Sequence, residues 1–227
     1  MTEIPVIAID GPGGAGKGTI SRRVAAELGW HLLDSGALYR LISLEALQLG
    51  IDLADEARLA ELARSLDAEF DAQAPVERIL LHGRDVTDDV RSEACGVAAS
   101  RVAVQAGVRS ALIDRQRAFR ELPGLVADGR DMGSVIFCDS RLKVFLTASV
   151  DERARRRYKQ LKGKGIDVSL SALSKDMAER DRRDAERPVA PLQPSPDARI
   201  LDTTSMSIEA VVSTVLDWAA MIYPSVD

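Results

Sequence analysis

The chain has 227 residues, a formal net charge of −5, and a composition that is 46% hydrophobic, 29% charged and 4% aromatic. That length buries a full core in one domain with a modest insertion. The acidic balance and the scarcity of aromatic side chains argue against a nucleic-acid partner, which needs basic surface and stacking platforms. Cys95 and Cys138 stand far apart in unrelated contexts, which fits a reduced compartment without a disulfide. With no apolar stretch long enough for a membrane span or a secretory signal, the expectation is a cytoplasmic protein with no membrane partner.

Val6-Ile7-Ala8-Ile9 is an all-apolar run, as a buried parallel strand requires. Residues 11–19, Gly-Pro-Gly-Gly-Ala-Gly-Lys-Gly-Thr, follow it directly, and Ile20, Val24 and Leu28 then recur at spacing four before Gly29. Gly11, Gly16 and Lys17 meet the G-x-x-x-x-G-K spacing in a strand-loop-helix context. Glycines let the backbone curl until successive N–H groups point inward at a helix N-terminus, and Lys17 brings a positive charge to the outer phosphates. Gly11, Pro12, Gly13, Gly14, Ala15, Gly16, Lys17, Gly18 and Thr19 are therefore expected to bind a nucleoside triphosphate. One departure stands out. The position after the lysine is usually Ser or Thr, whose hydroxyl ligates Mg²⁺; here it is Gly18, so Mg²⁺ must be held mainly by phosphates and water.

Further along, a short strand at His31–Leu33 ends in Asp34-Ser35-Gly36, and helices are predicted over 38–49 and 55–66. Residues 67–70 and 78–82 read as short strands, with turns at Ala74-Pro75 and Gly83-Arg84-Asp85; the span 62–100 reads as an inserted subdomain. Helices follow over 92–104 and 107–121. A strand at 124–127 runs into Asp128-Gly129-Arg130-Asp131, and Leu142–Leu146 is the next strand. Charged helices over 151–162 and 170–186 flank a Gly163-Lys164-Gly165 break, a proline-rich loop follows, and a strand at 199–201 and a helix over 207–221 close the chain. Five buried strands alternating with helices predict an α/β fold, a doubly wound parallel sheet of the P-loop NTPase type spanning 1–227, with ligands at the strand C-terminal ends.

A second substrate is suggested by charged residues at other strand ends. Asp34-Ser35-Gly36-x-x-Tyr39-Arg40 and Asp128-Gly129-Arg130-Asp131 are both expected on the rim that carries the phosphate loop, with Arg40 at a helix start. Arginine suits such a place because its planar fork matches phosphate. Arg180, Asp184 and Arg187 share a helical face, and Arg153 and Arg157 repeat the spacing one helix earlier. Residues 151–187 are thus expected to form an arginine-rich lid that closes over transferring phosphates.

These segments together resemble the bacterial cytidylate kinases, a branch of the nucleoside monophosphate kinases. The resemblance runs from about residue 4 to residue 218. It is carried by Ile9-Asp10-Gly11-Pro12-x-Gly14-Ala15-Gly16-Lys17-Gly18-Thr19, Leu33-Asp34-Ser35-Gly36-Ala37-x-Tyr39-Arg40, Arg117-Ala118-Phe119, Ala127-Asp128-Gly129-Arg130-Asp131-Met132-Gly133 and Glu179-Arg180-Asp181-x-Arg183-Asp184. It implies ATP as phosphoryl donor, CMP or dCMP as acceptor, and a monomer. It implies that the 62–100 insert binds the monophosphate. Ser35, Tyr39 and Arg40 would line the acceptor pocket, Ser100, Arg109 and Asp131 would read the cytosine ring, and Arg130 would face a phosphate. Arg180, Asp184 and Arg187 would contact the acceptor phosphate and sugar. Lys17, Arg130, Arg180 and Arg187 are the expected catalytic side chains. The base-reading set is chemically sound, since a carboxylate accepts from the exocyclic amine of cytosine and an arginine donates to its ring acceptors.

No metal site made by protein side chains is expected, because His31 and His82 have no Cys, Asp or Glu at ligand spacing. Asp128 reads equally as a magnesium-orienting carboxylate and as a loop brace. Two rivals remain at this stage: a kinase for another small acceptor such as UMP or a nucleoside, and a nucleotide-gated regulator without turnover.

Overall fold

The computed structural model describes residues 4–71, 78–163 and 165–224, so the expected Ala74-Pro75 turn and Lys164 lie outside the described residues. The chain divides into two compact units, residues Met1–Asp34 with Arg117–Asp227, and Ser35–Gln116. The second unit takes in the 62–100 span and extends beyond it on both sides.

In chain order the elements are β1 (Val6–Asp10), α1 (Lys17–Leu28), β2 (His31–Asp34), α2 (Ser35–Gln48), α3 (Glu56–Ser65), β3 (Ala68–Asp71), β4 (Arg78–Leu81), β5 (Arg84–Asp85), α4 (Thr87–Arg91), α5 (Glu93–Val102) and α6 (Ala106–Arg117). Then come β6 (Leu125–Gly129), a single π-helical turn (Met132–Ile136), β7 (Leu142–Thr147), α7 (Val150–Gly163), α8 (Leu170–Ala185), β8 (Arg199–Asp202) and α9 (Ile208–Ile222).

The first unit is built on a five-stranded sheet in the order β2-β6-β1-β7-β8, every neighbour parallel. β1 and β6 are buried along their whole length, because both faces of a central parallel strand are covered and a near-continuous apolar run is the stable solution. Ile20 and Val24 of α1 pack with Val211 and Val215 of α9 against Ile7, Ile9, Val126 and Val144 of the sheet. The parallel register sets Asp10 beside Gly129 and Asp34 beside Asp128, so the strand ends that carry charge share one edge. The expectation of five buried strands is corrected at both margins: β2 and β8 are edge strands, β2 burying only Leu33 and β8 leaving Ile200 63% exposed. A strand with one neighbour has a free side and needs no apolar covering there.

In the second unit β3, β4 and β5 form a small antiparallel sheet. Its β4–β5 turn is His82-Gly83, with φ of 50° and 71°, rather than the expected Gly83-Arg84-Asp85. A two-residue hairpin whose twist matches its strands needs positive φ at both central positions, which Gly83 readily supplies. α2 starts at Ser35, three residues before the expected Leu38, which places Arg40 inside the helix rather than at its start. α6 ends at Arg117, short of the expected 121.

Candidate active site

The phosphate loop of the first unit is shaped by its glycines. Gly16 sits at the N-terminus of α1 with φ 98°, and its carbonyl accepts from Thr19 and Ile20 N–H. Gly11 has φ 146°, and a Cβ there would lie 2.0 Å from the Leu146 carbonyl oxygen, so the loop leaves β1 pressed against β7. The carbonyls of the loop are held from outside. Gly13 O accepts from Arg153 Nη1 at 3.0 Å, and Ala15 O from Thr203 Oγ1 at 3.2 Å and Arg156 Nη1 at 3.4 Å. In a planar trans peptide the following N–H points the opposite way, which turns the Gly14 and Gly16 amides toward the other side.

Lys17 is 6% exposed; its ammonium donates to Pro12 O at 3.1 Å and stands 3.8 Å from an Asp128 carboxylate oxygen. Burial and the nearby Arg130 lower its pKa from 10.5 to about 8, Asp128 pulling the other way. Burial lifts Asp128 from 3.8 to about 7 against the attraction of Lys17, with Asp34 adding to the rise. A Cβ on Gly18 would stand 3.5 Å from Asp128 Oδ2, so the carboxylate reaches the position after the lysine. That carboxylate fits one role open to a protein ligand of Mg²⁺, a single oxygen beside phosphates and water. Among the described residues there is no group of three His, Cys, Asp or Glu side chains able to hold a metal.

Arg130 and Arg180 approach the same loop. A Cβ on Gly13 would lie 3.5 Å from Arg130 Nη2 and 3.7 Å from Arg180 Cζ. Arg130 Nε donates to Asp184 Oδ2 at 3.0 Å, and Asp184 is 4% exposed. Burial raises the Asp184 pKa, but Arg130, Arg187 and Arg180 outweigh it and hold the carboxyl below its ordinary value. Arg187 lies beyond the end of α8 and is 5% exposed, its Nε donating to the Asp184 carbonyl. The structure thus brings Lys17, Arg130 and Arg180 to one loop, with Asp184 bound to Arg130 and Arg187 bound to Asp184 behind them. Asp131 is buried at the head of the π-helical turn.

Asp10 belongs to this site although sequence reasoning gave it no role. Its Oδ1 accepts from Met132 N and its Oδ2 from Gly133 N, both at 2.8 Å, pinning the turn that follows Asp131. Burial lifts its pKa from 3.8 to about 6 in spite of those two bonds. The available signal was an acid as the last residue of an apolar strand. Arg153 and Arg157 do not act as a matched pair. Arg153 is 3% exposed and bound to Gly13, Ala148 and Asp181, whereas Arg157 donates to Gln160 on the surface. α7 and α8 also share a small apolar cluster of Ala154, Leu161 and Leu173.

The remaining expected residues lie in the second unit. Tyr39 Oη accepts from Arg109 Nη1 at 3.5 Å, and Arg109 is 5% exposed. Ser100 is buried on α5, with no hydrogen bond to its Oγ among the described residues. Ser35 is buried at the start of α2. Arg40 Nη1 donates to the Val90 and Ser92 carbonyls at 2.7 and 3.0 Å, and Gly96 gives its guanidinium room on α5. His82 is not isolated, as its Nε2 is 2.8 Å from Glu45 Oε1 and its Nδ1 3.4 Å from Asp67 Oδ2.

A phosphate loop at the C-terminal edge of a parallel sheet, met by the buried Arg153 and the half-buried Arg130, Arg156 and Arg180, defines a phosphotransferase of the P-loop kinase class. Residues 7–221 match the family model described as cytidylate kinase. The chain is 58% identical to the cytidylate kinase of Pseudomonas paraeruginosa, over 94% of each chain, and 54% identical to that of Stutzerimonas stutzeri, over 96% of each. The chain belongs to the cytidylate kinase family. Among solved structures it is similar to a gluconokinase from Sinorhizobium meliloti (16% identity, TM-score 0.49, 97% of this chain and 94% of that one). A shikimate kinase from Bacteroides thetaiotaomicron is similar at 16% identity and TM-score 0.46, over 95% of this chain and 98% of that one. No helix among the described residues is long and apolar enough to cross a membrane.

Proposed function

We propose that the chain transfers the γ-phosphoryl group of ATP to the phosphate of CMP or dCMP, giving ADP and CDP or dCDP. The observation that carries this reading is the convergence of Lys17, Arg130 and Arg180 on the phosphate loop, in a chain of the cytidylate kinase family. The acceptor oxygen is already ionised, so no general base is needed. Catalysis then reduces to in-line positioning and to charge stabilisation by Lys17, Arg130, Arg180 and Arg187. Mg²⁺ would be held mainly by phosphates and water with Asp128 as the nearest carboxylate, and it would neutralise charge on the transferring group.

Residues 11–19 hold the triphosphate in this scheme. Ser35, Tyr39, Arg40, Ser100, Arg109 and Asp131 hold the acceptor, and Arg180, Asp184 and Arg187 contact its phosphate and sugar. The 62–100 span serves acceptor binding and residues 151–187 act as the lid. Ser100, buried with its hydroxyl unpartnered among the described residues, suits a group that waits for a ligand. A cytoplasmic monomer that uses small nucleotides and no nucleic acid completes the reading, and a sizing experiment tests the monomer.

A coupled assay with ATP and CMP, dCMP, UMP, AMP or GMP, with a no-acceptor control, tests the reaction. The expected result is fast turnover with CMP and dCMP and little without an acceptor. Equal rates for all acceptors, or an ATPase rate matching the kinase rate, would overturn it.

A further inference from the structure

Arg153 stands in the first turn of α7, and every arm of its guanidinium is committed to a protein oxygen. Nε donates to Ala148 O at 2.9 Å, Nη1 to Gly13 O at 3.0 Å and to Asp181 Oδ1 at 3.1 Å, and Nη2 to Asp181 Oδ2 at 2.5 Å. One side chain therefore ties together the phosphate loop, the end of the β7 segment and the C-terminal half of α8. Around Asp181, α8 lies on the same loop. A Cβ on Gly14 would meet Met177 Cε at 3.3 Å, and one on Gly13 would meet Arg180 Cζ at 3.7 Å. Arg180 and Asp184, the α8 residues that touch or surround the phosphate site, sit one position before and three after Asp181.

We propose that the Arg153–Asp181 pair is a latch that sets the register of α8 on the phosphate loop, and that Arg153 is a positioning residue for phosphoryl transfer. The inference rests on the reaction proposed above and names how its lid arginines are placed. Two parallel N–H···O bonds between a guanidinium and a carboxylate fix orientation as well as distance, which a single ammonium contact does not. The same guanidinium holds the Gly13 carbonyl outward, so the loop conformation and the position of α8 become one structural variable. A misplacement of about 1 Å at a reacting group costs on the order of 10² in rate, and the latch acts at that scale.

The test uses the full chain with Asp181→Asn, Arg153→Lys and the double variant. Three quantities are measured: the Kd of a fluorescent ATP analogue, kcat with CMP, and amide hydrogen exchange over residues 170–185 without nucleotide. Asp181→Asn leaves the Gly13 and Ala148 bonds of Arg153 in place. Its kcat is expected to fall about tenfold to a hundredfold while the Kd changes by less than about threefold. Exchange in α8 is expected to accelerate. Arg153→Lys keeps the charge but loses the fork together with the Gly13 and Ala148 bonds, so its kcat loss is expected to be at least as large. The double variant is expected to lose no more than Arg153→Lys alone, because the Asp181 bond is already broken in it. An unchanged kcat and unchanged α8 exchange in Asp181→Asn would overturn the latch, as would fully additive losses. If the wild-type chain shows no transfer to CMP, the reaction fails, and the exchange measurement still decides whether Arg153 and Asp181 register α8.

Discussion

Lys17 is a cation buried by its surroundings and short of a full counter-charge, because its partner Asp128 is itself pushed toward the neutral form. An incoming triphosphate supplies the missing negative charge. With the Lys17 pKa near 8 in the free protein, the ammonium is charged below that pH and must take up a proton on binding above it. Nucleotide affinity is therefore expected to weaken as pH rises past about 8, by at most about tenfold per pH unit for one proton. Calorimetry in two buffers of different ionisation enthalpy reads that proton uptake directly. Lys17→Ala is expected to fold, Asp128 then taking a proton, and to lose about 10²–10³ in kcat, the usual cost of one transition-state donor. Asp131 supplies a different test. If it accepts from the cytosine amine, Asp131→Ala lowers the CMP-over-UMP preference in kcat/KM by about tenfold to a hundredfold, since an unpaired buried polar group costs roughly 1–3 kcal/mol. An unchanged ratio would remove Asp131 from that role.

The strand-to-loop step at the end of β1 shows how one element constrains another. Gly11 combines a φ of 146° with a Cβ position 2.0 Å from the Leu146 carbonyl of β7, so neither torsion nor space admits a side chain. Gly11→Ala is expected to cost about 3 kcal/mol or more, or to prevent folding, because backbone must move against backbone. Gly29, which ends α1 with φ 64° and has nothing within 4 Å of a built Cβ, is the control. Gly29→Ala should cost only about 1–2 kcal/mol for the left-handed torsion alone. Denaturant midpoints of the two variants compare these costs. The phosphate loop, β1, β6, β7 and the helices around them were legible from periodicity and glycine spacing. The start of α2 was misread, which put Arg40 at a helix start instead of within the helix, bonded to two carbonyls by α4 and α5. The π-helical turn was also missed, because Met132–Ile136 has no pattern of its own and is held by the distant Asp10.

Across the whole molecule, stability carries the imprint of groups displaced from their ordinary pKa values. His82 lies between Glu45 and Asp67, and the bond to Glu45 is the main cause that raises its pKa above 6.5. Its stabilisation is fully present below the unfolded value and is lost as pH rises through the raised folded value. Asp10 acts with the same sign: lifted to about 6, it favours the protonated folded state, so its burden on stability appears as pH rises from about 4 to 6. Unfolding free energy is thus expected to decline from mildly acid to mildly alkaline pH. His82→Gln should flatten the upper part of that decline, and a wild-type and variant difference independent of pH would contradict the assignment. The sequence by itself determined the phosphate loop and the central strands, because these are written in short-range spacing and apolar periodicity, and it pointed to the family through the resemblance that its motifs carry. Only the tertiary structure decided that β8 is an exposed edge, that His82 has two acidic partners, and that Asp10 and Arg153 hold the site. Each of those depends on contacts between residues well separated along the chain, and local pattern does not encode which distant charge a folded chain brings within reach.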